Sequence, residues 1–381
     1  MTCLRCCDGN QEVKAWAWES LTLGISIQGM AFYATAVVNL SKQMAGCVKG
    51  EGCSNTIYGI QAESILIFIA TLSGLCATIL MPFLGSVVDY TPYRRGVAMW
   101  TALTLIVFSA LKTTLSEKTL LFCLIIMALT PLVMQSHIVA ITAYFRELTS
   151  DEKTLGKYMG LFVALRSSAS LFLLLLVLGL AVLLGIKPQE GNISYAVSLA
   201  KMSQVIDVLL SSIFFIPTFL HRGFKPRPAQ SRPTNTSLVK HAFISLYHTC
   251  KKISICENPA LKWFLLSCIL IGSAQSAVNA IALSYMLNFL HMSSIQVSIS
   301  VFIFNTFKIV GAIGFRVFCK RNSCILRAFK LVIFFYSATL PIASIVIKGP
   351  QHNYLMYIFI VIWSICLGWI LPNIRTIYIK L

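Results

Sequence analysis

Three ionisable side chains stand inside apolar stretches that are long enough to cross a membrane, namely Arg166, Asp207 and Lys308. At about 1.5 Å of rise per residue, Arg166 and Lys308 lie about 12 to 14 Å from one end of their stretches, and Asp207 lies slightly deeper. A charge within a bilayer is costly, so such residues are retained for ligand binding, ion movement or internal pairing. The two cations could therefore bind a carboxylate or another anion.

The same three residues also fit a purely structural interpretation. Arg166 and Asp207 stand at matching depths in consecutive stretches, so they could form an internal ion pair. Lys308 could then extend its ammonium group along its apolar stem toward the membrane surface. The sequence leaves the anion-binding and the structural interpretations open for all three residues.

A second cluster of charges stands in a short gap between apolar stretches, where the chain reads FLGSVVDYTPYRRGV over residues 83–97. Gly85 precedes Asp89 by four residues, and the basic pair Arg94 and Arg95 follows closely. An acid and two bases at this spacing could form a charge network. The structural alternative is a solvated turn with ordinary positive charge.

The composition identifies the elements that must position these residues. Hydrophobic residues make up 57% of the chain and charged residues only 12%, with a mean hydropathy of +0.78, which excludes an ordinary soluble domain. Only helices and closed barrels satisfy their backbone in a bilayer, and runs such as LFLLLLVLGLAVLLG lack the alternation of barrel strands. Because about 20 apolar residues span the bilayer core, the sequence predicts an all-α polytopic membrane protein with ten transmembrane helices. These are expected near residues 16–40, 63–88, 97–115, 119–145, 157–185, 195–220, 260–287, 295–316, 329–347 and 353–374.

Basic residues in the loops predict the orientation of these helices. The second, fourth, sixth and eighth loops hold 18 Lys and Arg residues, and the opposite loops hold seven. Cytoplasmic loops concentrate such residues, so both termini are expected in the cytoplasm. The net charge of +18 is then a topology signal and an attraction to anionic lipid headgroups, with no nucleic-acid binding expected. The tripeptide NIS at Asn192 would present a glycosylation acceptor on the opposite side.

The longest predicted loop divides the ten spans into six and four. It contains KPRPAQSRPTNTS, whose proline, serine and basic content is typical of a flexible linker. We expect a six-helix bundle over residues 1–220, a basic cytoplasmic linker over 221–259 and an incomplete four-helix bundle over 260–381. A degenerate copy of the glycine and basic pair after the eighth span supports two related bundles.

The glycine, aspartate and basic pair after the second span resemble the signature loop of the major facilitator superfamily. The form DYTPYRR, with EVKAWAWES, TAYFRELTSDEK, FFIPTFLHRGFKPRP and LGWILPNIRTIY along the same chain, is similar to the autophagy-related vacuole effluxer branch. The resemblance implies that Gly85 permits a close approach of helices. It also implies that Asp89, Arg94 and Arg95 form a charge network that controls the cytoplasmic gate.

The same resemblance implies a solute pathway between the two bundles, lined by the first and fourth spans of each half and by spans five and eight. Seven polar or charged residues then become candidates for this pathway: Gln28, Gln135, His137, Arg166, Gln275, Asn279 and Lys308. The amides and the histidine could equally form hydrogen bonds between helices. His137 could also relay protons, because histidine titrates near neutral pH.

The implied function is secondary transport of a small solute by alternating access. The branch implies amino acid efflux from a vacuole-like compartment to the cytosol, with proton coupling left open. Superfamily members have twelve spans, whereas ten are predicted here, so we expect a relative that lacks the last two family helices. The alternatives are a transporter of another small solute and a transport-inactive membrane scaffold or regulator.

The thirteen cysteines do not have the spacing of a metal site. Cys47 and Cys53 share the first outer loop and could form a disulfide in an oxidising lumen. The sequence contains no Ser/His/Asp arrangement, zinc-protease motif or phosphate-binding loop. We therefore expect no enzymatic activity, catalytic residue, cofactor or metal.

Overall fold

The computed structural model of this chain describes most of its residues. The described ranges are 11–47, 55–149, 151–186, 193–220, 223–226, 243–244, 247–248, 251, 259–290, 292, 294–321 and 325–380. Side chains are described over the same ranges apart from 273–281 and a few shorter stretches inside helices.

The described residues are almost entirely helical. The α-helices are α1 (Gln11–Met44), α2 (Ile65–Tyr90), α3 (Arg94–Lys112), α4 (Leu120–Thr142), α5 (Phe145–Leu148), α6 (Glu152–Leu183), α7 (Ile193–Phe215), α8 (Pro259–Ser284), α9 (Ser294–Arg321), α10 (Ile325–Val346) and α11 (Asn353–Lys380). Wider π-helical turns extend α7 over Ile216–Leu220 and α8 over Tyr285–Phe289, and short 3-10 turns occupy Glu117–Thr119 and Pro350–His352. The two strands of the described residues, Thr56–Ile57 and Ile60–Gln61, pair antiparallel in one small hairpin.

Ten of these α-helices are long, and nine of them are apolar enough over the described residues to cross a membrane. The tenth, α8, has 26 residues, of which Leu261–Gly272 form an apolar segment. The prediction of an all-α polytopic membrane protein is confirmed, and of the ten predicted transmembrane helices nine meet the length and hydropathy needed to cross a membrane over the described residues. The apolar side chains on their outer faces suit contact with lipid. Within each helix the backbone groups are paired with one another, so lipid does not have to supply hydrogen bonds.

The helix ends differ from the predicted ends by a few residues for local reasons. α6 begins at Glu152, earlier than the apolar stretch, because Asp151 caps it by accepting a hydrogen bond from the Thr154 backbone nitrogen at 2.9 Å. Hydrogen bonds from Thr154 also hold the pKa of Asp151 below its ordinary value. Caps of this kind lie outside the hydropathy pattern, so apolar runs alone place helix ends only approximately.

Within the first six spans, α1 packs against α6 and α7, while α3 and α4 pack against each other and α2 packs on α4. An aromatic cluster closes one end of this group. The rings of Trp16 and Phe145 stack with centroids 4.0 Å apart, and Phe162 stacks on Trp16 at 5.4 Å. Arg94 and Arg95, at the start of α3, lie at this same end, which is called the basic end below.

The last four spans are organised around α11, which packs against α9 and α10. The closest approach is between α9 and α11, where a Cβ added at Gly368 would lie 2.8 Å from the Ala312 backbone nitrogen. Phe315 is fully buried beside Trp369 at this contact. Small residues at a helix crossing allow backbones to approach closely, which is a common packing solution in membranes.

The two groups of helices meet where α6 packs along α9 and α11. Gly160 allows this close contact, because a Cβ at that position would lie 3.0 Å from the Ala312 carbonyl oxygen and 3.1 Å from Arg316 Cβ. Val163 and Ala164 are buried beside it. This surface is called the α6–α9 interface below. The division of the chain at residues 220 and 259 stays a prediction.

Candidate functional site

Two cations meet at the α6–α9 interface. Arg166 stands on α6 and Lys308 stands on α9, and they lie near enough for their positive charges to repel each other. Repulsion between like charges is strong where water is scarce, so the arrangement is unfavourable without an anion. The resemblance implies that spans five and eight both line the solute pathway, and a pathway role for these two cations stays a prediction.

Neither cation is neutralised by direct contact with a described residue. The Nε of Arg166 is buried and has no hydrogen-bond partner among these residues. The Nζ of Lys308 lies 5.4 Å from the centroid of the Phe304 ring, which attracts a cation only weakly. In the described part of the chain, no carboxylate lies within 4.0 Å of either side chain. Both therefore retain the ability to bind an anion.

Two buried amides extend this site toward α1. Asn305 Nδ2 donates a long hydrogen bond of 3.5 Å to Gln28 Oε1 and a shorter one of 3.1 Å to the Val301 carbonyl. Asn305 and Lys308 are three residues apart on α9 and therefore share a helix face. The structure thus places Gln28, a predicted pathway residue, beside the α6–α9 interface. Asn305 was not identified from the sequence, although its polarity within an apolar run was a usable signal.

A carboxylate on α1 lies close to Arg166. Glu19 Oε1 is 2.7 Å from His137 Nε2 on α4, and the two side chains are only 2% and 1% exposed. Glu19 also attracts Arg166 electrostatically from beyond ion-pair distance. His137 was a predicted pathway residue, whereas Glu19 was not identified, because it stands near the start of its span where polar residues are common.

The other side of the histidine ring contacts α3. His137 Nδ1 lies 3.1 Å from the Ala98 carbonyl oxygen and 3.0 Å from Thr101 Oγ1. The ring is therefore fixed at both nitrogens by groups from α1 and α3. A histidine held in this way has a defined orientation, and hydrogen-bonding partners decide which nitrogen carries its proton.

Asp207 is buried in α7 and is surrounded by serine hydroxyls. It accepts hydrogen bonds from Ser109 at 2.7 Å, Ser211 at 2.8 Å and Ser26 at 3.1 Å, and Lys112 attracts it electrostatically. The structural alternative of an ion pair with Arg166 is wrong, because the carboxylate is directed to α1, α3 and the next turn of α7. Matching depth in two helices does not establish that two side chains face each other.

A small cavity separates Asp207 from the Glu19–His137 pair. Its volume is about 20 Å³, and its lining includes Glu19, His137, Asp207 and the three serines that bind the aspartate. This is room for about one water molecule, and the polar lining supplies the partners that a buried water requires. The cavity is lined by residues of the first six spans, and at about 20 Å³ it is too small to hold a solute.

Arg94 and Arg95 form a group of contacts at the basic end that is called the clamp below. Arg94, which is fully buried, donates to both carboxylate oxygens of Glu147 at 2.9 and 3.1 Å. Its Cζ also lies 3.8 Å from the centroid of the Tyr144 ring. Arg95 donates to the carbonyl oxygen of Phe219 in the π-helical turn after α7. A two-bond pair of this type is strong and geometrically specific, so Arg94 ties the start of α3 to α5, and Arg95 ties it to the turn that follows α7.

The other two residues of the predicted gate lie beside the clamp and not within it. A Cβ at Gly85 would meet no heavy atom within 4 Å, so the close helix approach that the resemblance implies is not present there. Asp89 is attracted by Arg94 electrostatically, while the direct carboxylate partner of Arg94 is Glu147. The arginine contacts seen among the described residues lie within the first six spans. A role for these residues in gating stays a prediction.

The remaining predicted site residues are separated from these clusters or fall outside the described part of the chain. Gln135 is exposed on α4, next to the buried His137 in sequence but on another face. The side chains of Gln275 and Asn279 lie outside the described residues, as does Asn192. Cys47 is disulfide-bonded, and its predicted partner Cys53 lies outside the described residues, so that pairing stays a prediction.

The amino-acid sequence matches the family model of the Major Facilitator Superfamily over residues 20–381. No curated protein matches this chain in sequence. The matched region begins one residue after Glu19 and includes every helix from α2 to α11.

Solved structures with the same fold include two transporters of different cargo. The human organic anion transporter MFSD10 (TETRAN) superimposes with a TM-score of 0.53 at 12% identity, covering 97% of this chain and 85% of its own. A bacterial homologue of the iron transporter ferroportin, in an outward-facing state, gives a TM-score of 0.56 at 12% identity and covers 97% of this chain and 84% of its own. The same homologue soaked with iron gives 0.57. At this identity the similarity establishes the fold and leaves the cargo undetermined.

Proposed function

Because this chain belongs to the major facilitator superfamily, we propose that it carries a small carboxylate-bearing solute across a membrane by alternating access. It is a multi-pass integral membrane protein, with nine described helices long and apolar enough to span a bilayer. The superfamily moves small molecules between two helix bundles that rock around a central site. The α6–α9 interface is the proposed location of that site.

The observation that carries this proposal is the pair of unneutralised cations at the interface. Arg166 and Lys308 repel each other, and a carboxylate placed between them would replace repulsion with two attractive contacts. Each charge-assisted hydrogen bond contributes about 1.5 to 3 kcal/mol. A solute with two carboxylates would satisfy both cations best, so among amino acids an acidic one fits this site better than a neutral one.

Gating at the basic end is the second part of the proposal. The clamp of Arg94, Arg95 and Glu147 fixes the ends of three helices, and Gly85 and Asp89 stand immediately before it in sequence. We propose that rearrangement of this region opens the pathway on that side. The excess of basic residues in the same loops supports a cytoplasmic location for this end, with both termini cytoplasmic and with anionic headgroups nearby.

The biological setting is proposed from the resemblance to the vacuole effluxer branch. That resemblance supports an amino acid as the solute, a vacuole-like endomembrane as the location and efflux to the cytosol as the direction. It also leaves room for proton coupling. The expected organisation over residues 1–220, 221–259 and 260–381 belongs to the same proposal, since rocking requires two bundles joined by a linker.

Exchange by the purified protein in liposomes tests the proposal without assuming a direction. The probes are radiolabelled glutamate, its isosteric amide glutamine, and succinate, which has two carboxylates and no amine. We expect exchange of glutamate to exceed that of glutamine. Arg166→Gln and Lys308→Gln should each weaken the apparent affinity for glutamate at least about tenfold, because each removes one charge-assisted contact.

The control is Lys330→Gln, which removes one exposed positive charge from α10 and should exchange like the wild type. Absence of exchange of all three probes would overturn the proposal. Glutamate exchange at the wild-type affinity in both interface variants would also overturn it. Exchange of succinate without glutamate would retain the carboxylate site and reject the amino acid.

A further inference from the structure

A second cavity lies between three helices, at the end of the α6–α9 interface opposite the basic end. Its volume is about 170 Å³. The lining is mostly apolar and includes residues of α6 (Leu174, Leu178), α7 (Tyr195) and α9 (Ser298, Ile299, Phe302). One wall therefore belongs to the first six spans and the other to the last four. This cavity is called the crevice below.

The crevice lies at a consistent depth on the three helices. Leu178 stands five residues before the end of α6, Tyr195 two residues after the start of α7 and Ser298 four after the start of α9. At about 1.5 Å of rise per residue, these three positions lie about 3 to 8 Å inside the helix ends. Leu174 and Phe302 lie deeper, at about 12 to 14 Å. The crevice thus extends from the membrane surface into the hydrocarbon region.

The margins of the crevice are open toward the lipid. Leu175, which also lines it, is 52% exposed, and Ile299 on the opposite wall is 45% exposed. Leu174 in the interior of the wall is only 1% exposed. A molecule dissolved in the bilayer can therefore enter from the side, without passing through water.

The size and the lining of the crevice indicate what would fill it. A cavity of about 150 Å³ lined by Leu, Ile and Phe stays dry and binds an apolar molecule such as benzene. The crevice has a similar volume and a similar lining, so it suits a hydrocarbon group better than water. A sterol has a rigid skeleton of four fused rings, which needs more room than this. A flexible hydrocarbon chain can fill the crevice with a few of its methylene groups.

The polar part of the lining stands at its shallow end. Tyr195 and Ser298 carry the two hydroxyl groups of the described lining, in which no side chain is charged. Tyrosine is common at this level of a membrane, because its ring suits the apolar region and its hydroxyl the polar one. The ester carbonyls of a phospholipid lie at the same level and accept hydrogen bonds. This arrangement favours a phospholipid whose acyl chain extends into the crevice.

We infer that the crevice binds one acyl chain of a membrane phospholipid, which separates α6 from α9 at this end. At the basic end the same two helices are in close contact, because a Cβ added at Gly156 would lie 2.9 Å from Cys319 Sγ. Rocking of two bundles closes one end of the interface as the other opens. The chain must therefore leave the crevice in each cycle. This last step rests on the proposed function, whereas binding of the chain does not.

Photolabelling of the purified protein in detergent tests the binding site. The probe is phosphatidylcholine with a photoreactive diazirine in the middle of one acyl chain, and labelled segments are identified by mass spectrometry. We expect saturable labelling of both walls, at residues 174–178 and 298–302, that unlabelled phosphatidylcholine displaces. Leu178→Phe narrows the crevice and should weaken the apparent affinity at least about tenfold, because the exclusion of two methylene groups is sufficient for such a loss.

The matched control is Leu331→Phe, the same change at a position on α10 that is 57% exposed, and it should be labelled like the wild type. Labelling of one wall alone, or labelling that does not saturate, would overturn the site even when a variant does not fold. Displacement of the probe by cholesterol and not by phosphatidylcholine would also overturn it. So would wild-type affinity in folded Leu178→Phe.

Glutamate exchange in liposomes tests the consequence for transport. Protein with the phospholipid covalently attached should exchange glutamate several-fold more slowly than protein irradiated without the probe. Exchange at the control rate by fully labelled protein would overturn the requirement that the chain leaves. Saturable labelling of a protein that exchanges no glutamate, glutamine or succinate would overturn the proposed function and leave the acyl-chain site standing.

Discussion

Charged side chains inside the helix bundles have different surroundings in two regions of this protein. Inside the first six spans, Glu19 contacts His137 at 2.7 Å, and Asp207 accepts hydrogen bonds from three serines. At the α6–α9 interface, Arg166 and Lys308 lie near each other without a carboxylate within 4.0 Å among the described residues. In the first region these two carboxylates have direct hydrogen-bond partners, while in the second neither cation has a direct carboxylate partner among the described residues.

We interpret the charged groups with direct partners as stabilising the fold, and the two cations without a carboxylate partner as a candidate ligand site. A buried polar group that loses its partner costs the full penalty of its removal from water, so satisfied groups stabilise the arrangement around them. Two unneutralised cations raise the free energy of the empty protein, and an anion lowers it.

The largest loss of stability is expected from removal of the Asp207 carboxylate. Asp207→Ala leaves the hydroxyls of Ser26, Ser109 and Ser211 without their acceptor and should lower the free energy of unfolding by about 3 kcal/mol or more. Asp207→Asn keeps an acceptor oxygen and should lose less. Unfolding in detergent measures both, and a loss below about 1 kcal/mol for the alanine variant would contradict a satisfied interior.

The clamp should show a smaller loss because Glu147 is partly exposed. Arg94→Gln and Glu147→Gln should each reduce the free energy of unfolding by about 2 kcal/mol, since the two-bond contact is charge-assisted. Their combination should cost much less than the sum. Additive losses in this double-mutant cycle would show that the pair does not stabilise the basic end.

Two glycines differ in how closely a neighbouring helix approaches them. Gly160→Ala should cost about 1 kcal/mol or more, because its Cβ would lie 3.0 Å from the Ala312 carbonyl oxygen across the interface. Gly85→Ala, in open space, should cost nothing or stabilise α2 slightly through the higher helix propensity of alanine. Equal losses in thermal unfolding would be inconsistent with the packing described.

Only a small effect on stability is expected at the interface cations. In an anion-poor buffer, Arg166→Gln and Lys308→Gln should change the free energy of unfolding by less than about 1 kcal/mol, because each removes repulsion and no ion pair. Unfolding should be measured without carboxylate buffers. A loss near that of Asp207→Ala would mean that the interface cations are structural.

Much of the fold was predictable from the sequence, because long apolar runs leave the chain few alternatives in a bilayer. The ten helices follow from these runs, while their ends depend on caps such as Asp151 that hydropathy does not detect. Arg166, Lys308 and His137 were found as candidates because an ionisable residue within an apolar run is itself a signal.

The partners of these residues were less predictable. Glu19 and Glu147 stand near span ends, where acidic residues are ordinary, and their contacts depend on how helices rotate about their axes. The expected pairing of Arg166 with Asp207 used depth alone and was wrong, since Asp207 faces serines on α1, α3 and α7. Sequence therefore identified charges within the membrane, while the structure was needed to show their partners.

Direct binding of radiolabelled glutamate to the purified protein tests the central claim that the interface cations bind a carboxylate-bearing solute. The account predicts saturable binding that glutamine displaces poorly, and an affinity at least about a hundredfold weaker in Arg166→Gln/Lys308→Gln, since two charge-assisted contacts are lost. The folded state of the double variant is checked by its unfolding transition. Wild-type affinity in a folded double variant would contradict the claim, as would the absence of glutamate binding to the wild type.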